Sequence, residues 1–457
     1  MKHATPAYTK ELAGFLAALE PQDLSAEVFD RARYLLLDFL GVAIRGARAE
    51  STAPVHKMIE RLGVPGCSTV IGTKLRTLPG YAALANGTAA HAIELDDTHN
   101  AGSIHLGVVM FPTALALAES RPTVTSEAFF TAVVAGYDMA ARTATAVQPK
   151  EHYLLGFHPT ATCGVFGAAV TASKLLGLNA EQMLSAVGIA GSMAAGSLEF
   201  LAEGAWTKRL HPGLAAQNGI QAAMLAAEGF RGPSTILEGR DGFLAGYSKH
   251  PIPERLIDGI GESFEILRTS VKPHACCRYM QGPIDAILEL VCQHRILPDQ
   301  VRSIDVAVLE AGWPLVVEPR AQKYHPQTIV EAQFSMPFGA AMAVIHRAAG
   351  LDQFTKEQIQ SKEVQHMMGK IVMSKDMRIE TNFPEQWPAR VTISLTNGRI
   401  YEKTITHPKG DPKNPLSWDE LVAKFKTLAP GVNSDKIISQ VTNGCSPASV
   451  ASLCALP

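Results

Sequence analysis

Acids, a hydroxyl and two imidazoles crowd one short stretch of the chain, Glu94-Leu95-Asp96-Asp97-Thr98-His99 followed by His105, inside otherwise apolar sequence. Titratable groups flanked by core-like residues point to a partly desolvated cleft, where pKa values move toward what acid–base catalysis needs. A solvated loop with one capping aspartate is the plainer reading. Three further polar segments interrupt Ala- and Gly-rich sequence. They are Gly156-Phe157-His158-Pro159-Thr160, Thr207-Lys208-Arg209-Leu210-His211-Pro212-Gly213 and Lys272-Pro273-His274-Ala275-Cys276-Cys277-Arg278-Tyr279. Together they offer cations for carboxylates (Lys208, Lys272) and imidazoles for proton transfer (His105, His158). Taken singly each is weaker. His158 before a proline reads locally as a turn residue, and 272–279 reads equally as a hinge with a thiol pair. Lys208 opens an Ala-rich helix, whose free N–H groups suit an anion, or it sits in solvent.

Asp96, Asp97 and the histidines are also acceptable ligands for Mg or Zn. An Asp-Asp-x-x-Asp motif in a helical protein would suggest a Mg-dependent terpenoid synthase. Here Asp96-Asp97-Thr98-His99-Asn100 lacks the closing acid, and no second acidic motif or basic lining for diphosphate accompanies it. No metal site is expected. A P-loop, a nucleophile elbow and Gly-x-Gly-x-x-Gly are all absent from the sequence.

The elements that would position these groups are mostly helical. From Pro21 to about Ala227 apolar residues recur at three- and four-residue spacings, as in Val28, Ala32, Leu35, Leu36, Phe39 and Leu40. Ser25 and Ser126 are candidate N-caps. Gly164–Leu178 and Leu184–Leu198, rich in small residues, read as central buried helices of a bundle. The pattern changes near Leu267. Val301–Leu309 alternates as a half-buried strand, and Val391–Thr406 reads as a hairpin turning at Asn397-Gly398. Ala332–Ala348 and Lys356–Met368 read as helices, as do Ser417–Leu428 and Ser434–Val441 after a linker at Pro408–Pro415. The expected fold is therefore mainly α: a large all-helical domain from both chain ends, 1–267 and 407–457, with a smaller α+β unit, 268–406, inserted.

At 457 residues, 47% hydrophobic and 18% charged, the chain has material for two cores. A formal net charge of −2 with scattered Lys and Arg argues against nucleic-acid or anionic-membrane partners. The first ten residues hold no apolar signal core, and no run of about 18 apolar residues occurs; Thr160–Leu178 comes closest but is broken by Ser173 and Lys174. The seven cysteines (Cys67, Cys163, Cys276, Cys277, Cys292, Cys445, Cys454) form no CxxC, so they read as free thiols of a cytoplasmic protein.

In combination and order these motifs resemble the 2-methylcitrate dehydratase/cis-aconitate decarboxylase family (MmgE/PrpD), which also includes iminodisuccinate epimerase. The likeness spans almost the whole chain. It rests on Asn86-Gly87-Thr88-Ala89-Ala90-His91-Ala92 leading to Leu95-Asp96-Asp97-Thr98 and His105, then Gly156–Thr160 and Thr207-Lys208 through His211 and Gly213. It continues through Lys272 with Cys277-Arg278-Tyr279 to Glu331-Ala332-Gln333-Phe334-Ser335.

The resemblance implies a pocket between a helical domain and an α+β lid, a homodimer, and no metal or organic cofactor. It implies a lyase acting on a small di- or tricarboxylate by moving a proton beside a carboxylate, with an epimerase or a non-catalytic carboxylate binder as alternatives. The matching positions are Glu94 (commonly Asp), Thr98, His105, His158, Lys208 and Lys272. Lys208 and Lys272 would hold carboxylates, joined in substrate binding by His211 and Tyr279. His105 would move the proton, oriented by Glu94 or Asp96, and His158 would bond a carboxylate or hydroxyl. Two positions depart from the pattern. Cys277 stands where decarboxylase members carry a histidine, and Gln281 where many other members carry one.

Overall fold

The computed structural model describes residues 7–383, 385–443 and 446–455; residues 1–6 of the N-terminal reading and Cys445 lie outside them. The chain is mainly helical, with few strands. Its largest helices up to residue 227 are Ala26–Gly46, Pro79–His91, Gly107–Ser120, Ser126–Val147, Gly164–Leu176 and Thr207–Ala227. Gly164–Leu176 is buried along almost its whole length, as its small residues require. The second small-residue stretch differs from expectation. Its helix, Ala180–Gly191, ends seven residues early, and 192–198 runs as half-exposed turns. Ser25 caps as expected, accepting from Val28 N. Ser126 does not: Thr125, one residue earlier, takes the extended Ncap conformation and accepts from Ala128 N, which leaves Ser126 as the first helical residue.

One helix crossing places the site. Helices Pro79–His91 and Thr207–Ala227 make the most extensive helix–helix contact, meeting at Gly87 and Gly213. A Cβ at Gly213 would overlap the Leu84 carbonyl and lie 2.6 Å from Thr88 Oγ1, and one at Gly87 would lie 2.9 Å from the Gly213 backbone. Only glycine allows this approach, which brings the last turn of the first helix (His91, then Glu94) beside the first turn of the second (Lys208, His211). Gly213→Ala is therefore expected to cost about 1–3 kcal/mol of stability, the range for overpacking a close-packed core. Urea unfolding measures it, and an unchanged midpoint would mean the crossing tolerates a methyl.

Between residues 281 and 405 a four-stranded sheet has the order Ile371–Ser374, Val301–Ala307, Ala389–Leu395, Ile400–Ile405. The hairpin turns at Asn397-Gly398 with Gly398 at φ +85°, and Val391 pairs with Lys403. Strand Ile371–Ser374 runs parallel to Val301–Ala307 and is too short for alternation to reveal it in the sequence. Helix Gln281–Gln293 packs on the hairpin and on helix Met336–His346. The expected helices 332–348 and 356–368 are each broken by a serine that caps a new helix, Ser335 at Phe338 N and Ser361 at Val364 N.

The returning helices Trp418–Leu428 and Ser434–Thr442 both pack on Ala26–Gly46, and a further short helix, Pro447–Leu453, packs on Gly107–Ser120. The Pro408–Pro415 segment is held in place rather than loose: Val271 N donates to Gly410 O, and buried Asp411 accepts from Asn100 and Arg278. No helix among the described residues is long and apolar enough to cross a membrane.

Candidate active site

Behind the last turn of helix Pro79–His91 the chain passes through Glu94 at φ +55°, a left-handed conformation that is strained for a non-glycine residue and accumulates at functional sites. A two-residue strand, Thr98–His99, then pairs with Thr269–Ser270, tying this loop to the segment that carries Lys272. His99 serves this tie, bonding Glu265 (2.8 Å) and accepting from Gly102 N. Asp97 is likewise structural. Its carboxylate accepts from Gly107 N, at the start of the next helix, and from Tyr137 Oη (2.8 Å), and burial pushes it up to about 7.

Glu94, Thr98, His105, His158, Lys208 and Tyr279 all line one cavity, together with Ser103, Tyr153, Cys277, Arg278 and the apolar Leu198, Phe200, Leu315 and Phe334. Its volume, about 30 Å³, holds one or two waters. Larger clefts of about 810 and 570 Å³ open elsewhere, lined by acids and arginines but by no histidine, and the convergence of imidazoles with acid and ammonium groups rather than size marks the candidate site.

The site residues form a chain of charge. Lys208 Nζ bonds Glu94 and donates to His91 Nε2 (3.0 Å), and His91 Nδ1 donates to Asp96 Oδ2 (2.7 Å). His105 Nδ1 lies 2.7 Å from the Asp97 carbonyl and 3.2 Å from both Thr98 Oγ1 and Asp96 Oδ2. A carbonyl and a carboxylate are both acceptors. They therefore assign the proton to His105 Nδ1 and leave the Nε2 lone pair for the cavity. His158 Nδ1 meets His211 Nδ1 at 3.0 Å, so one of these two rings must donate to the other.

Three expected residues stand one layer back. Asp96 lies behind His91 and His105. His211 is outside the cavity lining and touches it through His158. Lys272, fully buried, has its ammonium 3.6 Å from Glu94 Oε2 and 3.4 Å from Asp96 Oδ1 and makes no hydrogen bond among the described residues.

Burial would raise both carboxyls, yet the neighbouring lysine ammoniums and the imidazoles beside them outweigh it. Lys208, Lys272 and His91 hold Glu94 at about 2, and His91, Lys272 and His105 hold Asp96 well below the usual range. Burial takes His105 to about 3 despite Asp96, and burial together with His211 and Lys208 takes His158 well below its ordinary value. The two carboxylates are thus ionised and the imidazoles neutral near pH 7.

Among the described residues, His91, His105 and His158 are the group spaced like metal ligands, one nitrogen of each lying within 4.8 Å of the others. They do not fit a metal. Both His91 nitrogens are engaged, Nε2 by the Lys208 ammonium, which would stand against any cation bound there. Asp96 and Asp97, the pair behind the Mg reading, face different partners and cannot act together.

His91, like the lining residues Cys277 and Arg278, was quoted from the sequence without a role; for His91 its position one helical turn before Glu94 was the available signal. Tyr153 and Ser103, bonded to each other at 2.9 Å, gave none. Gln281 is buried and clamps the 274–276 loop through His274 N, His274 O and Cys276 O. Cys276 and Cys277 are free thiols, raised by burial.

Residues 10–256 match the family model for the MmgE/PrpD N-terminal domain, and 274–443 that for the MmgE/PrpD C-terminal domain. The chain is 29% identical over 452 residues to a cis-aconitate decarboxylase-like protein of Aspergillus oryzae, covering 95% of this chain and 93% of that one. It is 26% identical over 462 residues to a cis-aconitate decarboxylase of Aspergillus terreus (96% and 92% covered). It is also 26% identical over 436 residues to the cis-aconitate decarboxylase of Mus musculus (92% and 86%).

Proposed function

The chain belongs to the MmgE/PrpD family, and from that premise we propose that it is a cofactor-independent lyase acting on a small di- or tricarboxylate by acid–base proton transfer beside a carboxylate. The observation that carries this reading is the convergence of His105, His158, Thr98 and Lys208 on one buried cavity. Breaking a C–H or C–C bond beside a carboxylate leaves an anion that spreads onto that carboxylate. Stabilising it takes a fixed cation and fixed donors, and completing the reaction takes a proton moved at the carbon.

In this reading His105 Nε2 takes the proton, with Nδ1 held by the Asp97 carbonyl, Thr98 and Asp96. When His211 supplies the shared proton, His158 carries its own on Nε2 and serves as the donor. Lys208 faces the developing negative charge, while Glu94 keeps its ammonium in place. Tyr279, stacked on Trp387, closes the wall. A cavity with room for one or two waters must widen to admit a tricarboxylate. Residues 268–406, which contribute Cys277, Arg278, Tyr279, Leu315 and Phe334, would act as the lid that moves, against 1–267 and 407–457 as the base. The cytoplasm and a homodimer belong to the same proposal.

One observation favours a second reading. Cys277 lines the cavity with its thiol kept protonated by burial, at the position where the resembling decarboxylases have a histidine. A dehydratase or an epimerase of an iminodisuccinate-like substrate needs no imidazole there.

Proton NMR in D2O with EDTA against cis-aconitate, 2-methylcitrate, citrate and an iminodisuccinate-type amino diacid separates these reactions. Loss of CO2, loss of water or deuterium exchange at Cα names the chemistry. No change with any substrate, in a protein shown to be folded, counts against catalysis on this class. Because His211 acts through His158, His211→Asn is expected to lower kcat about tenfold with KM little changed, less than the roughly 10²–10⁴ for losing an acid–base group itself. Steady-state kinetics reads the split, and a change confined to KM would return His211 to substrate binding.

A further inference from the structure

We infer that Arg278 is the receptor for a substrate carboxylate remote from the reacting carbon, and so the residue that selects a tricarboxylate over a dicarboxylate. The inference rests on the carboxylate-lyase reading above and extends it. Arg278 lines the cavity. It is 4% exposed, on the short turn Arg278–Met280. Its guanidinium is fixed on two sides: Nε donates to Asn100 Oδ1 (3.2 Å), and Nη2 donates to Ser270 Oγ and Asp411 Oδ2 (3.2 Å each). The ring of Trp387 lies against it, 5.7 Å from its central carbon. Nη1 is buried and has no partner among the described residues.

A charged N–H donor left unpaired out of water is costly, and proteins seldom keep one without a use. The other two cations at the site are already committed. Lys208 bonds Glu94 and His91, and Lys272 sits behind the wall between Glu94 and Asp96. Of the two cations lining the cavity, Lys208 keeps one N–H beyond those to Glu94 and His91 and serves the reacting carbon, whereas the Nη1 group of Arg278 is wholly unpartnered among the described residues. The one acid on it, Asp411, also accepts from Asn100 and bonds Nη2 rather than Nη1. A planar guanidinium held by three neighbours and offering the two N–H of a free Nη1 is preorganised for a carboxylate oxygen, which it would meet as the lid widens the cavity.

Nη1 and the imidazole pair then divide the labour. His105 and His158 act at the reacting carbon, and Arg278, from the opposite segment of the chain, fixes the end of the substrate that does not react. A dicarboxylate lacking that group would leave Nη1 unpaired in the closed site, and this is the penalty by which polar sites reject a truncated ligand.

The test is calorimetric binding, which does not depend on turnover. The probes are tricarballylate, glutarate and methylsuccinate; the last two lack its central and one terminal carboxylate. The proteins are wild type, Arg278→Gln and Arg278→Lys, with melting curves to show folding. Wild type is expected to prefer tricarballylate. Arg278→Gln should weaken tricarballylate at least about tenfold while binding one of the dicarboxylates within about threefold of wild type, and Arg278→Lys should fall between. Equal losses for all three ligands would overturn the inference, as would wild type binding all three alike, with the lyase reading left standing. Failure of both variants to fold would make Arg278 a structural tether and end it too. If wild type binds none of the three, the carboxylate-lyase reading itself fails and takes this inference with it.

Discussion

His105→Asn is expected to leave the protein folded and to lower turnover by about two to four orders of magnitude. The amide of asparagine reaches roughly where Nδ1 stands, so it can keep the contacts to the Asp97 carbonyl and Thr98 that hold the loop. It has nothing at the place of Nε2, the lone pair we assign as the base. The substitution thus separates the two ends of the ring, one structural and one chemical. Burial holds the imidazole at about 3, with Asp96 opposing, so the free enzyme keeps it neutral from pH 5 to 8. Wild-type kcat/KM should accordingly show no His105 limb across that range, since this parameter reports the free enzyme. Stopped assays of product by NMR measure the loss. A variant within about threefold of wild type would remove His105 from proton transfer.

The parts of this molecule that follow local rules were legible in its sequence. Asn397-Gly398 between alternating runs specified the hairpin because both residues tolerate the turn, and Gly398 adopts φ +85°. The cluster from Glu94 to His105 stood out because titratable groups are rare inside apolar sequence, and six of the expected residues do meet at one cavity. What stayed hidden depends on distance in space rather than along the chain. Nothing near Lys272 says that its ammonium ends between Glu94 and Asp96, some 180 residues earlier. Nothing near Pro408–Pro415 says that Asp411 closes a network with Asn100 and Arg278. Short elements were also hidden. Strand Ile371–Ser374 exists because Val301–Ala307 offers it an edge, a tertiary cause that four residues cannot announce. The same holds for Thr125, whose choice over Ser126 as cap turns on one residue's backbone angles.

Lys272→Met is expected to cost about 3–5 kcal/mol of stability near pH 7.5, the range for removing one partner of a buried ion pair. A carboxylate-holding role, implied by family resemblance, predicts something different: a raised substrate requirement in a protein of ordinary stability. The placement of the ammonium favours the first outcome, because it is shut away from the cavity and is ion-paired with two buried carboxylates while making no hydrogen bond among the described residues. The pH dependence carries the sharper signature. In wild type the cations hold Glu94 at about 2 and Asp96 well below its ordinary value, against burial. Their contribution to stability is present above the unfolded carboxyl range, near pH 4–4.5, and is lost as pH falls toward the folded values. Without Lys272, burial of Asp96 loses a main opponent, and a carboxyl raised in the folded state works in the opposite sense. Its penalty is absent below the unfolded value and grows as pH rises toward the folded one. The stability difference between variant and wild type should therefore widen from pH 5 to pH 8 in urea titrations. A difference that stays constant over that range would mean Asp96 and Glu94 do not depend on Lys272 for their charge. A stable variant with only KM raised would restore Lys272 to the substrate.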